Sequence, residues 1–347
     1  MKEYDILTKA IEEISDSANL EKKLRIDFTK VIQKPPTVIS IMDIEGNECE
    51  ICTSGNFSLI VGKAKSRKSF FVSTMVVSAI KGDSTLTNMK GSVDCKPVVI
   101  LFDTEMSEYH SQRMGFAAVK QLPLELRENY MHFKLRELPP KERLNFVEEV
   151  LRKHHQYVSL VIIDGIKDLL SQGINDEPES IELTSKLMKW TTEYDLHIAC
   201  ILHQNKNDKN PRGHIGTELM NKAETVLQVE KDPKDNKTSL ITPLYTRSLD
   251  FEPFGFTLDE NLSPINIDFV PHKTAAEEKM ERMFGELFEL KNYYTYSSLV
   301  QTIAEKYKKT ESAAKKNIST AQNRKIIIQK DKHYKLNIPE DLEGIPF

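Results

Sequence analysis

From Thr37 onward, short apolar runs alternate with segments of helical periodicity, and few folds accept that order. The runs cover residues 57–61, 97–102, 160–163, 197–202, 224–229 and 239–245. Between them, apolar residues recur at helical spacing over 68–81, 107–120, 141–155 and 179–194. Strands this short and apolar, alternating with helices, predict an α/β fold with a parallel sheet covered on both faces. Such sheets bind ligands beyond the carboxyl ends of their strands. The residues just after each run are therefore where chemistry should be sought.

A length of 347 residues predicts about two domains. The longest apolar stretch, residues 70–80, is far short of the about 20 residues a bilayer span needs. The opening MKEYDILTKAIEEISD has helical spacing and no signal-peptide core, so the expectation is a cytoplasmic protein that crosses no membrane. Cys49 and Cys52 form C-x-x-C, but Cys95 and Cys200 stand alone. No second pair completes a zinc site, and the CEIC stretch reads as a strand with small buried side chains.

After Asp268 the grammar changes. Segments 279–290, 297–307 and 311–323 read as helices, and 325–329 and 333–337 as a β-hairpin. Three helices followed by a hairpin is the order of a winged-helix domain. Between Lys291 and Lys335 eleven Lys and Arg face three acids, a local +8 on a chain whose net charge is -4. A basic tail on an acidic body suggests a polyanionic partner, with a solvated surface as the plain alternative. The predicted organisation is a helical segment over 1–36, the α/β domain over 37–270, the basic domain over 274–337 and a mobile tail over 338–347.

The first run leads into Gly62, Lys63, Ala64, Lys65, Ser66, Arg67, Lys68 and Ser69, and then a helix. Strand, tight loop, Lys-Ser and helix make a phosphate-binding loop: backbone N–H groups cradle phosphate, Lys68 reaches the β/γ-phosphates, and Ser69 holds Mg²⁺. Arg67 stands where the pattern wants glycine. It fits only if its Cβ points away from the nucleotide. Its guanidinium would then add charge near the γ-phosphate or pair with an acid across a subunit interface; simple drift in a weakened site is the alternative. The second run ends in Asp103-Thr104-Glu105, where an acid can polarise an attacking water or merely favour a helix start. Asp164 closes the third run in the Walker B manner, ordering the Mg²⁺ shell. His203, Gln204 and Asn205 end the fourth, either sensing the γ-phosphate or forming a polar turn. Residues 206–217 follow as a basic mobile loop with Lys206, Lys209 and Arg212, and Arg247 ends the sixth run as surface charge or an arginine finger.

Together these residues resemble the RecA-like ATPase superfamily, in its DnaB/RepA replicative-helicase branch and most of all the RepA-type (AAA_25) ATPases of plasmids and mobile elements. The matching stretches are 55–70, 101–107, 160–166 and 201–206, with the Thr246-Arg247 strand end. The resemblance implies a RecA-like sheet and an ATPase, possible helicase, that uses ATP and Mg²⁺. It also implies a homo-oligomer, usually a ring of six, on DNA. Glu105 would be the general base, Asp164 the metal-shell acid, and His203 with Gln204 the coupling to the DNA-facing loop; Arg247 would act in trans. In the tail, Lys315, Lys316, Arg324, Lys325, Lys330 and Lys332 are the candidate DNA contacts. The rival expectation is a DNA-binding regulator or scaffold whose degenerate loop hydrolyses nothing.

Overall fold

The computed structural model describes residues 20–22, 24–205, 211–268, 275–323 and 326–337. Lys206, Lys209, Arg324 and Lys325, the first nineteen residues and the tail 338–347 lie outside the described residues. The chain divides into two compact units, Met1–Phe269 and Val270–Phe347.

In the first unit the order is β1 (Thr37–Met42), β2 (Glu48–Thr53), β3 (Phe57–Gly62), α1 (Lys68–Lys81), β4 (Met89–Gly91), β5 (Val98–Asp103), α2 (Glu108–Val119), β6 (Tyr130–Lys134) and α3 (Pro140–His154). It continues with β7 (Val158–Asp164), α4 (Glu177–Tyr194), β8 (His197–His203), α5 (Gly213–Lys222), β9 (Thr225–Lys231), β10 (Ser239–Thr246), β11 (Phe254–Leu258) and β12 (Pro264–Ile267). Among the described residues nine strands form the main sheet, in the order β12-β11-β10-β9-β3-β8-β7-β5-β6. The six from β9 to β6 run parallel, and β10, β11 and β12 extend the sheet antiparallel. In chain order the parallel core reads fifth, first, fourth, third, second, with β6 at its edge: the RecA-like arrangement, in which β8 separates the loop-bearing β3 from β7.

Strand alternation builds the two faces. Val99 and Leu101 of β5, with Leu160 and Ile162 of β7, join one core together with Phe71, Val72 and Met75 of α1. The intervening Ile100, Phe102, Val161 and Ile163 point the other way, onto Val147, Leu187, Trp190 and Ile215 of α3, α4 and α5. With both faces covered, these strands must be apolar at every position, which is why they read as runs rather than as alternation. A small antiparallel sheet, β2-β1-β4, closes over the α1 face. All four cysteines are free, and Cys49, Cys52 and Cys200 are buried.

One expectation fails in this unit. Residues 206–217 are not one long loop: an antiparallel bridge joins Gln204 to Pro211, and α5 starts at Gly213. Ile215 and Leu219 supply the apolar stripe that anchors that helix, hidden in sequence by the polar residues before it.

The second unit has α6 (Ala275–Leu290), β13 (Tyr294–Thr295), α7 (Tyr296–Lys306), α8 (Glu311–Asn323), β14 (Ile327–Lys330) and β15 (His333–Leu336). Its own core holds Phe284, Leu287, Leu299, Ile303, Ile318 and Ile327. The three strands order as β13-β15-β14. Lys315, Lys316, Lys330 and Lys332 are all exposed; Lys315 also meets Glu311 at 3.5 Å. Among the described residues, no helix is long and apolar enough to cross a membrane.

Candidate functional site

Parallel β3, β5, β7 and β8 all end on the same side of the sheet, and their last residues converge there. Gly62 is in register with His203, and Asp103 with Asp164. The loop after β3 is tightly packed: a Cβ on Gly62 would lie 2.2 Å from the Val229 carbonyl oxygen and 2.8 Å from Ser66 Oγ. Only glycine lets β3 turn there without pushing β9 away. Lys65 and Arg67 take left-handed backbone conformations (φ 62° and 71°), so the loop curls as a phosphate loop does even without its usual second glycine.

Lys68 is buried, and burial lowers the pKa of its ammonium below the usual lysine value. Its Nζ donates to the carbonyls of Gly62 and Lys63, both at 3.0 Å, and to His203 Nδ1 at 3.2 Å. With Nδ1 accepting, the His203 proton belongs on Nε2, which lies 3.2 Å from Glu105 Oε2. The other Glu105 oxygen pairs with Lys167 Nζ at 3.0 Å. A continuous line therefore runs Lys68, His203, Glu105, Lys167 across three strand ends. The His203 hydrogen bond, reinforced by Lys167, holds Glu105 down at about 2.

Asp164 sits opposite. Burial, with Asp103 and Glu105 adding negative charge, pushes its carboxyl up to about 7. Ser69 Oγ lies 3.5 Å from Asp164 Oδ2, the separation of two groups able to share a small hard cation. Asp103 is fully buried and accepts from the backbone N–H groups of Glu105 and Met106 at 3.0 and 2.9 Å, fixing the turn that carries Glu105.

The residues fit Mg-ATP on observations of their own. Among the described residues Ser66 Oγ is buried without a partner beside the loop, and Lys68 and Ser69 open α1, where N–H groups await an anion. Ser69 and Asp164 would hold the metal together with phosphate oxygens. No group of three or more His, Cys, Asp or Glu side chains could hold a metal ion among the described residues.

Gln204 is buried next to the loop, where its N–H reaches the Gly62 carbonyl at 3.3 Å and its Oε1 accepts from Gln228 Nε2 at 3.4 Å. Arg212, exposed, returns the chain to His203 through a 3.2 Å backbone bond. Arg247 stands apart. Thr246 pairs with Thr225 at the start of β9, and the Arg247 guanidinium reaches Asn56 Oδ1 at 3.3 Å, so it occupies the far end of the sheet. The fold does not bring it into this chain's own site.

Arg67 is tied within its own chain, to residues on the β9–β10 side of the loop. Nη1 binds the Lys237 carbonyl at 2.5 Å and Ser239 Oγ at 3.2 Å, and Nη2 binds the Asn236 carbonyl at 3.1 Å. The left-handed backbone aims it at the β9–β10 turn of its own chain. Lys167, Asp103 and Gln228 were missed from sequence. Asp103 had a signal, as the first acid of the strand-end triplet; Lys167 and Gln228 meet the site only through strand adjacency.

A family model described as AAA domain matches residues 48–209. Similar solved structures include an ATPase domain with 15% identity over 62% of this chain and 86% of that one, TM-score 0.46. The RadB recombinase gives 14% identity over 62% and 92%, TM-score 0.46. The flagellar accessory protein FlaH from Methanocaldococcus jannaschii gives 14% over 62% and 91%, TM-score 0.44. No curated protein matches the chain.

Proposed function

We propose that this chain, whose core is a RecA-like ATPase domain, is an oligomeric DNA-associated ATPase serving replication or mobilisation of a plasmid or other mobile element. The observation that carries the reading is the convergence of Lys68, Ser69, Glu105, Asp164 and His203 at neighbouring strand ends. Bound Mg²⁺ would neutralise charge developing on the β- and γ-phosphates. Lys68 neutralises the same phosphates from the loop, and the first amides of α1 add their dipoles. Glu105 orients the attacking water and accepts its proton as the bond to the γ-phosphate forms. His203 bridges Lys68 and Glu105, so a phosphate drawing Lys68 forward disturbs the base at the same time.

The place of Arg247, remote from its own site, supports a role toward a neighbour in a ring. The second unit has the element order of a winged helix. Its exposed Lys315, Lys316, Lys330 and Lys332, with Arg212 of the core, are proposed to meet DNA phosphates. The experiment is a nucleotide-binding titration run beside a hydrolysis assay. Lys68→Ala should lose ATP binding, while Glu105→Gln should bind ATP and not turn it over. Parental turnover in Glu105→Gln removes Glu105 as the base; binding by the parent without any turnover favours the scaffold reading.

A further inference from the structure

The phosphate loop touches the β9–β10 hairpin at three places: on strand β9, at the start of β10, and in the turn between them. The Val229 carbonyl closes against Gly62 at the front of the loop. Ser239 Oγ donates to the Ser66 carbonyl at 3.4 Å. Arg67, the residue in the glycine position, spans the gap with both arms of its guanidinium, on Asn236, Lys237 and Ser239. A planar fork with fixed donors holds two carbonyls of a turn in a way no glycine can.

The turn is itself ordered. The Asp235 carboxylate accepts from Lys237 N–H at 2.9 Å and Thr238 Oγ1 at 2.8 Å, and Thr257 Oγ1 of β11 donates to the Lys237 carbonyl at 3.1 Å. It presents Lys234 and Lys237 to solvent, next to the exposed Lys231 that ends β9. Arg67 also lies immediately before Lys68, inside the backbone that must wrap a phosphate. A shift of that backbone on phosphate binding pulls on the turn through a short, inextensible link.

Resting on the nucleotide-binding reading above, we propose that Arg67 is a positioning residue that couples occupancy of the phosphate loop to the β9–β10 turn, placing the exposure of a basic turn under nucleotide control. The left-handed backbone at Arg67 is kept because the guanidinium replaces the lost glycine with a tether. Linkage makes the coupling reciprocal: what loosens the turn weakens nucleotide binding.

Amide hydrogen exchange of the full-length protein, with and without Mg-ADP, tests this. In the parent, Mg-ADP should slow exchange both in the loop 62–69 and in the turn 232–239, the turn by about fivefold or more. In Arg67→Met the loop should still be protected while the turn no longer responds, and Mg-ADP affinity should fall by a comparable factor. Arg67→Lys, which keeps one donor, should recover part of the response, which a loss of folding would not allow. Arg67→Gly should weaken Mg-ADP binding although it restores the motif; tighter binding means the arginine is merely tolerated and overturns the proposal. So does a turn that responds equally in Arg67→Met, or a parent in which the loop responds and the turn does not. If Mg-ADP protects neither in the parent, the nucleotide site falls and the coupling with it.

Discussion

Asp164→Asn should stabilise the nucleotide-free protein, and the gain should grow with pH. Asp164 ends β7 among like charges, in register with Asp103 and near Glu105, and burial adds to the cost of its charge. Its carboxyl is pushed from 3.8 up to about 7. Because the folded state holds this proton more tightly than the unfolded chain, folding stability falls as pH rises from about 4 to about 7, and is level above. The ceiling on that loss is about 4 kcal/mol at 1.36 kcal/mol per pH unit of displacement. Water and local relaxation around a strand end open to the site reduce it, so we expect about 1–2 kcal/mol between pH 5 and pH 8. At about 2–4 °C per kcal/mol, Asn should melt about 2–8 °C further above the parent at pH 8 than at pH 5. Thermal unfolding at both pH values, without Mg²⁺ or nucleotide, measures it. With saturating Mg-ATP the order should reverse, because only the parent gains the ligand's binding energy. A difference between parent and Asn that is the same at pH 5 and pH 8 would refute the electrostatic account of this strand end.

Lys167→Met should move the acid limb of the kcat/KM profile upward, by about half to one pH unit, because Glu105 keeps its His203 bond but loses its cation. The sign follows from a depressed carboxyl: the pair's contribution is complete above the ordinary pKa near 4.5 and is lost as pH falls through about 2. Arg247→Ala and Glu105→Gln should each be inactive, and mixed subunits should regain activity, since some interfaces then join an intact Arg247 to an intact Glu105; no recovery despite subunit exchange removes the trans role. A fragment from Thr274 onward should bind duplex DNA with affinity falling on added salt, by about 0.9 in log slope per phosphate neutralised, and Lys330→Ala with Lys332→Ala should flatten that slope.

Much of the core was legible because strands buried on both faces leave no room for polar residues. Helix 68–81 is legible to the residue, since a mostly apolar segment, broken only by Ser73, Thr74 and Ser78, runs from Phe70 to Ile80 before Lys81. β4 and β6 carried weaker signals: β6 is a half-buried edge strand, and β4 is three residues long. Helix α5 was lost in a polar neighbourhood because two buried residues, Ile215 and Leu219, do not announce a helix within a loop-like composition. For the site, the residues after each strand could be named, because topology alone places them together. Their pairings could not. Lys167 reaches Glu105 because β5 and β7 are neighbours, and Arg67 reaches Asn236 because β9 lies beside β3 and β10 beside β9. Both contacts join residues distant in sequence, and neither residue type is unusual for an exposed surface.

The most direct measurement is ATP turnover by the purified chain with and without single-stranded DNA, beside Lys68→Ala. The account predicts Mg²⁺-dependent hydrolysis that rises when DNA is added and is absent from Lys68→Ala under both conditions. Turnover no greater than that of Lys68→Ala, with DNA present, would contradict it.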